Sequence, residues 1–406
     1  MARYPVSGSL RRSPDIAVHL DASDQVRLTI KGEELVVGRE ALLILDVFRY
    51  TIPSVIALTQ LRELSKVARI PWEQIEATLK RFVTYGILCD GSGKLVPTRE
   101  SSVESAPYHI AMLNDRSRTS AYLDAIQATV REGDVVLDIG TGTGVLAMGA
   151  ARSGARRVYA IERGQIAGLA ARMFEAFDNI TLIRGSSHDV ELPEKADVFV
   201  SELLGDEPLG EGLPSSANDA FKRHLKPGAR CVPSHLKVFA VPLTLTSEQL
   251  AVWTLTDEMV ARWREWYGLD YSVLLPEVGA ANFIVHVFPQ ALREVALLAE
   301  PVVLLDLDLA QPIDASYQQM VTLKALRAGR ANGLLLAMEV ELSPGIVLST
   351  HPHHATHDNH WRSPLWLHRD SFWLEAGDEF EVHAAYRVEW GRTRMGLHLP
   401  HPAPVE

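Results

Sequence analysis

Cysteine is almost absent: Cys89 and Cys231 are the only two in 406 residues. Two thiols cannot build a disulfide framework, so reduced side chains in the cytoplasm are the simpler expectation. Apolar runs of about 18 residues or more are also missing, and no membrane span is expected. The first residues, "MARYPVSGSLRRSPD", lack the apolar core of a signal peptide. Positive charge is scarce, with 40 Lys+Arg against 51 Asp+Glu and a formal net charge of −11. That balance disfavours nucleic acid as the main partner and suits a cationic one. It is uneven: residues 1–100 carry about two net positive charges and the rest about thirteen negative. What is plentiful is apolar surface, 47% of residues, over a length that suggests two or three domains with real cores.

The chain divides by pattern. Over 1–100, "IAVHL", "QVRLTI" and "ELVVG" are short and β-rich, and "REALLILDVFRY", "SVIALTQLREL" and "PWEQIEATLKRFVTYGIL" have helical spacing. Strands followed by three helices suggest a winged-helix-like domain. "VPTRESSVESAP" reads as a linker. Over 101–232, "MLNDRSRTSAYLDAIQATVRE" is helical, then apolar strands alternate with helices, which predicts a mostly parallel, Rossmann-type sheet. Over 233–406, strands such as "HLKVFAVPL", "NFIVHVF", "GLLLAMEVEL" and "DEFEVHAAYRV" follow one another, which predicts an antiparallel β-barrel. A tryptophan-rich amphipathic insertion, about 246–280, interrupts them as a candidate interaction arm. The fold class is therefore α/β plus β.

"LDIGTGTG" puts Gly140, Gly142 and Gly144 between a buried strand and a helix, where glycine lets the backbone turn sharply and a ligand approach. Glu162 ends the next strand, where a carboxylate can accept from both hydroxyls of a ribose. The spacing is G-x-G-x-G rather than that of dinucleotide enzymes. With Asp138 before it, the loop looks like the first motif of class I methyltransferases, which implies S-adenosyl-L-methionine.

"SELLGDEPLGEG" follows a later strand of the same sheet. Glu202 stands where such a sheet binds ligands, beyond the strand's carboxyl end, and Glu211 follows after a loop. Two carboxylates can clamp a planar guanidinium from two sides, fix its plane and take up a proton lost after attack. Asp206 and Glu207, between them, read as the loop's outer, solvated acids.

Glycine motif and acidic loop together resemble the protein arginine methyltransferases, most closely their monomethylating, type III branch. The resemblance implies that Glu202 and Glu211 are the family's paired glutamates. In "HIAMLNDRSRTSAY" it places His109 and Met112 near the cofactor and Arg118 on its methionine carboxylate; Asp138 and the glycines line it, Glu162 holds the ribose, and Ser187 and His188 contact adenine. "LSTHPHHATHDNHW" resembles the family's threonine-histidine-tryptophan loop, which implies that His360 lies near the glutamates and Trp361 lines the substrate pocket. "WYGLDYS" resembles part of the helical dimerisation arm, implying a head-to-tail homodimer. The histidines at 351, 353, 354, 357 and 360 complete no known zinc spacing, so no metal is expected. Their acidic surroundings are expected to raise their pKa.

The element order of residues 1–100 resembles PqqD-like domains, which bind the leader of a ribosomally synthesised precursor peptide as an added strand; a structural cap that only supports the catalytic domain is the alternative for this unit. The expected activity is methylation of an arginine in a peptide or protein. Methylation of another nitrogen (a histidine or a small molecule), or a DNA-binding regulator built on an inactive methyltransferase fold, stays open at this point.

Overall fold

A computed structural model of the chain describes residues 9–14, 16–20, 26–30, 33–84, 87–90, 106–251, 253, 255, 257–274, 283–387 and 392–400. The expected linker falls largely outside them, as does the end of the arm. The chain forms two compact units, Met1–Tyr108 and His109–Glu406.

The first unit runs β1 (Ser9–Arg12), β2 (Ala17–Leu20), β3 (Val26–Ile30), β4 (Glu33–Val37), α1 (Glu40–Val47), β5 (Ile52–Pro53), α2 (Ser54–Ala68), α3 (Trp72–Thr84) and β6 (Leu88–Asp90). Two three-stranded antiparallel sheets, β5-β1-β6 and β2-β3-β4, accompany the helices. Alternation in "VRLTI" buries Val26 and Leu28, and the helical stripe Ile75, Leu79, Phe82 meets Ile44 and Leu61 in one core. Glu40 is only 3% exposed, yet it accepts hydrogen bonds from Gln74 Nε2 (2.7 Å) and Thr78 Oγ1 (2.7 Å), so its burial ties α1 to α3. The helix expected over "PWEQIEATLKRFVTYGIL" ends at Thr84, and Leu88 pairs instead with Arg12 of β1.

α4 (Ala106–Asn114) crosses the boundary, and the second unit goes on with α5 (Arg116–Thr129), β7 (Val135–Ile139), α6 (Val145–Arg152), β8 (Arg157–Glu162), α7 (Ala167–Phe174), β9 (Ile180–Arg184), β10 (Ala196–Ser201), α8 (Leu213–Arg223) and β11 (Leu225–Val232). The sheet is parallel, in the order β11-β10-β7-β8-β9. Every residue of β7 is buried, as a central parallel strand covered on both faces requires. The single helix read from "MLNDRSRTSAYLDAIQATVRE" is two. Asp115 breaks it by capping α5, its side chain accepting from Arg118 N at 2.9 Å.

β12 (His235–Thr244) then leads through the short α9 (Ser247–Leu250) and α10 (Asp257–Tyr267) into β13 (Phe283–Val287), β14 (Ala296–Leu297), β15 (Val302–Asp308), β16 (Tyr317–Lys324), β17 (Gly329–Ser343), β18 (Ile346–Ser349), β19 (Ser363–Leu374), β20 (Glu379–Arg387) and β21 (Arg392–His398). A seven-stranded sheet follows β13-β19-β17-β12-β14, with β15 on β12 and β18 on β17; a three-stranded sheet follows β16-β20-β21. One apolar core runs from the parallel sheet (Val136, Val198) into these strands (Leu336, Phe380). Packing α5 against β17 and β18 brings its arginine-bearing start next to the histidine-rich loop that follows β18.

Candidate active site

The strand order reverses between β7 and its neighbour β10, so a crevice opens beyond their carboxyl ends. The glycine loop leaves β7 there, and the acidic loop leaves β10. Gly140 has φ +78°, and a Cβ on it would lie 2.7 Å from Leu203; Gly144 has φ +87° and caps α6 against Phe174. Gly142 faces the His109 ring, 3.3 Å from where its own Cβ would stand. At the end of β8, Glu162 accepts from Gly142 N (2.8 Å) and Gly164 N (2.7 Å), which aims its carboxylate at the loop. Burial holds His109 below the usual imidazole pKa against the opposing pull of Glu162, so the ring is neutral near pH 7.

Asp138 is fully buried on β7 and accepts from Thr141 Oγ1. Burial raises its pKa to about 7, more than the Thr141 hydrogen bond lowers it. A carboxyl whose folded pKa is raised stabilises the fold below its unfolded value and loses that contribution as pH rises to the folded one. The stability of Asp138→Asn relative to wild type should therefore increase from about pH 4 to about pH 7 and stay level above, measured as Tm against pH.

The centre of the site is a buried ion pair. Arg118 Nη1 lies 2.5 Å from Glu202 Oε2, with side chains 6% and 8% exposed. Arg118 Nη2 donates to the Met112 carbonyl at 3.0 Å, and the guanidinium carbon lies 5.8 Å from the centre of the Trp361 ring. Arg118 Nε is buried without a partner. Trp361, itself 3% exposed, donates from Nε1 to the Leu204 carbonyl at 3.0 Å.

His360 joins this centre through Asp115. Asp115 Oδ2 accepts from His360 N (3.1 Å) and faces His360 Nδ1 (3.0 Å), while Oδ1 accepts from Arg118 N. Burial alone would raise the Asp115 pKa, but the hydrogen bonds from His360 and Arg118 outweigh it and hold the group below its ordinary value. Asp358 adds a second carboxylate at the start of α5, accepting from Ser117 N at 3.0 Å, a favoured place for negative charge. The sequence reading missed Asp115 and Asp358; the "ND" before a helical run was the available signal for the first.

Glu211 lies across the acidic loop, immediately before Gly212, the left-handed cap of α8 (φ 90°). A Cβ on Gly205 would stand 2.8 Å from Glu211 Oε1 and 2.9 Å from its Cγ. Gly205→Ala should therefore push Glu211 aside. The expectation is a fall in turnover of about tenfold or more with little change in Tm, because the backbone there needs no positive φ. Of the intervening acids, Asp206 is exposed as expected, whereas Glu207 is half-buried rather than solvated, and both meet the barrel. Asp206 Oδ1 accepts from Arg362 N at 3.0 Å, and Glu207 Oε1 accepts from Thr393 Oγ1, because the barrel packs against this loop.

Ser187 and His188 sit just beyond β9. Ser187 is buried, its carbonyl accepting from Arg223 Nη2 at 2.7 Å, and the exposed His188 faces Ser215 Oγ at 3.1 Å. The His351 pKa is not raised but pushed down to about 4, first by burial and then by the neighbouring His354 and His353. The His351 and His354 ring centres lie 4.8 Å apart. Beside this loop, a cavity of about 230 Å³ is lined by Asp115, Arg118, Glu339, His354 and Trp361 among others.

Fold and site define a class: a methyltransferase-type α/β domain continuous with an antiparallel β domain. Residues 116–234 match the family model described as ribosomal protein L11 methyltransferase, and residues 249–394 match the arginine methyltransferase oligomerization subdomain. Among curated proteins, the probable protein arginine N-methyltransferase 6.1 of Oryza sativa subsp. indica is 38% identical over 173 residues, 41% of this chain and 44% of the rice protein. The match thus spans less than half the length of that relative. Protein arginine N-methyltransferase 1 of Schizosaccharomyces pombe is 29% identical over 284 residues, 66% of this chain and 78% of the yeast protein. Two solved structures, each 24% identical, share the fold. One is the Trypanosoma brucei PRMT1 enzyme–prozyme heterotetrameric complex with AdoHcy (TM-score 0.59, covering 70% of this chain and 89% of that one). The other is Arabidopsis thaliana protein arginine methyltransferase 10 (TM-score 0.57, covering 73% and 93%). The chain is thus similar, in sequence over part of its length and in fold, to protein arginine N-methyltransferases.

Proposed function

We propose that this chain is an S-adenosylmethionine-dependent N-methyltransferase acting on the guanidinium of an arginine in a peptide or protein. One observation carries the reading: Glu202, at the strand end beside the glycine loop, already holds a guanidinium, that of Arg118. The residues around it suit the cofactor. The partnerless Arg118 Nε is a buried donor that a methionine carboxylate would satisfy. Glu162 would take the ribose; Gly140, Gly142, Gly144, Asp138, His109 and Met112 would line the crevice, with Ser187 and His188 towards adenine.

When bound, S-adenosylmethionine supplies an electrophilic methyl group on a sulfonium. The protein's part is orientation and charge. Glu202 and Glu211 bond two nitrogens of the substrate guanidinium, fix its plane and keep positive charge on those nitrogens, leaving the third to attack. A carboxylate of the pair takes the proton that the methylated nitrogen sheds. His360, whose Nδ1 faces Asp115, keeps Nε2 for that proton in turn. Trp361 walls the pocket.

Incubating a synthetic single-arginine peptide with isotope-labelled S-adenosylmethionine tests this by fragment-ion mass spectrometry. Label on the arginine is expected; label on a histidine would replace the substrate in this reading. The "GDEPLGEG" loop further supports the monomethylating branch, so product that stops at one methyl at full conversion is expected, and dimethylarginine would remove that assignment.

The arm supports a homodimer: Trp266 (58%), Tyr267 (60%) and Val273 (72%) leave apolar side chains open to a partner. For the first unit we propose a winged-helix-like domain that receives a precursor-peptide leader. Its support is β2, an edge strand exposed at all four residues, with Leu20 68% exposed. Calorimetry of the full chain with peptides encoded beside it should detect binding that Val18→Pro weakens.

A further inference from the structure

The acidic loop spans eight residues between its two clamp acids, and a loop of that length does not fix the end of a side chain by itself. Its contacts with the barrel do. Leu204 O accepts from Trp361 Nε1 (3.0 Å), Asp206 Oδ1 accepts from Arg362 N (3.0 Å), and Leu209 O accepts from Tyr386 Oη (3.4 Å). The fourth contact is of another kind. Thr393 Oγ1 on β21, 1% exposed, donates to Glu207 Oε1 and lies 3.0 Å from Tyr317 Oη on β16. Because Thr393 spends its proton on the carboxylate, Tyr317 is the donor to Thr393, and the three groups form a one-way donor chain ending on a charge. Tyr317 stacks on Tyr386 with ring centres 5.9 Å apart. Burial raises the pKa of both tyrosines and the Glu207 charge adds to it, so both keep their protons.

Glu207 is also coupled to the clamp through the backbone. Its carbonyl accepts from Gly210 N at 2.8 Å, closing a turn whose next residue is Glu211. A Cβ on Gly210 would stand 3.2 Å from Glu207 Cβ, so the turn is packed against the Glu207 side chain. We propose that Glu207 is a positioning residue: tethered to the barrel by Thr393 and Tyr317, it sets where Glu211 stands and so how the substrate guanidinium is held. The four acids of the stretch then split by task, Glu202 and Glu211 facing substrate, Asp206 and Glu207 facing the barrel. This rests on the reading of Glu202 and Glu211 as the guanidinium clamp.

Three variants test it: Thr393→Val, which removes the hydroxyl without changing shape, Glu207→Ala, and Glu207→Gln, which keeps an acceptor oxygen. Each is compared with wild type for KM and kcat on a single-arginine peptide, for S-adenosylhomocysteine affinity, and for amide exchange over residues 203–210. Thr393→Val and Glu207→Ala should raise the peptide KM about tenfold and speed exchange in the loop by a similar factor. Their S-adenosylhomocysteine affinity should stay within about twofold, because Glu162 and the glycine loop are untouched, and Glu207→Gln should recover most of the KM. Unchanged KM and unchanged exchange in both variants would overturn the proposal. So would an equal loss of S-adenosylhomocysteine affinity, which marks general damage rather than positioning. If the wild type transfers nothing to the peptide, the proposed function fails, and the exchange rates alone decide the tether.

Discussion

Glu202→Gln is expected to cut methyl transfer by about a thousandfold, the scale lost when an oriented charge on the reacting group is removed. The same substitution should also destabilise the fold. Arg118 and Glu202 are both buried, and neutralising one leaves the other charge without compensation, at about 3 kcal/mol or more. The two effects separate in a double variant. Arg118→Met with Glu202→Gln removes both charges, so Tm should recover much of the loss while turnover stays low, the cofactor's carboxylate having lost its partner as well. Recovery of turnover with Tm would mean that Glu202 serves only the fold. Thermal melts and initial rates on the same preparations decide the matter.

The second large effect is expected at Asp115, which caps α5 and orients His360 at once. Asp115→Asn keeps a good capping side chain but loses the charge facing the imidazole, so Tm should change little while kcat falls about a hundredfold, within the range of positioned acid–base groups. Asp115→Ala should show the same fall in kcat and a further loss of stability of about 1 kcal/mol from the missing cap. Equal kcat in Asn and wild type would remove His360 from the proton path and leave it a role in the loop alone.

The site was legible where chemistry and chain order coincide. Gly140, Gly142 and Gly144 follow a fully buried strand, Glu162 ends the next, and Glu202 directly follows β10, so local pattern set each of them at the sheet's carboxyl edge. What was not legible depends on contacts between distant segments. Asp115 and His360 are 245 residues apart, and Glu207 and Thr393 are 186 apart; no period along the chain announces either pair. The same cause hid elements of the fold. β1 and β6 are four and three residues long and pair across the first unit, while β16 alternates half-buried with exposed side chains in a mainly polar run. The His351 pKa falls rather than rises because the loop's one acid, Asp358, faces Ser117, leaving burial and two neighbouring imidazoles to act on the ring.

We propose that Glu202 and Glu211 together hold a guanidinium for methylation. It is tested most directly by the rate of labelled methyl transfer to a single-arginine peptide in wild type and Glu211→Gln, with S-adenosylhomocysteine affinity measured alongside. Glu211 is not part of the Arg118 ion pair, so this variant spares the buried charge. Label on the arginine side chain is expected in wild type, with a rate at least about a hundredfold lower in Glu211→Gln and S-adenosylhomocysteine affinity within about twofold. Equal transfer by the two proteins, or label on any residue other than arginine, would contradict it.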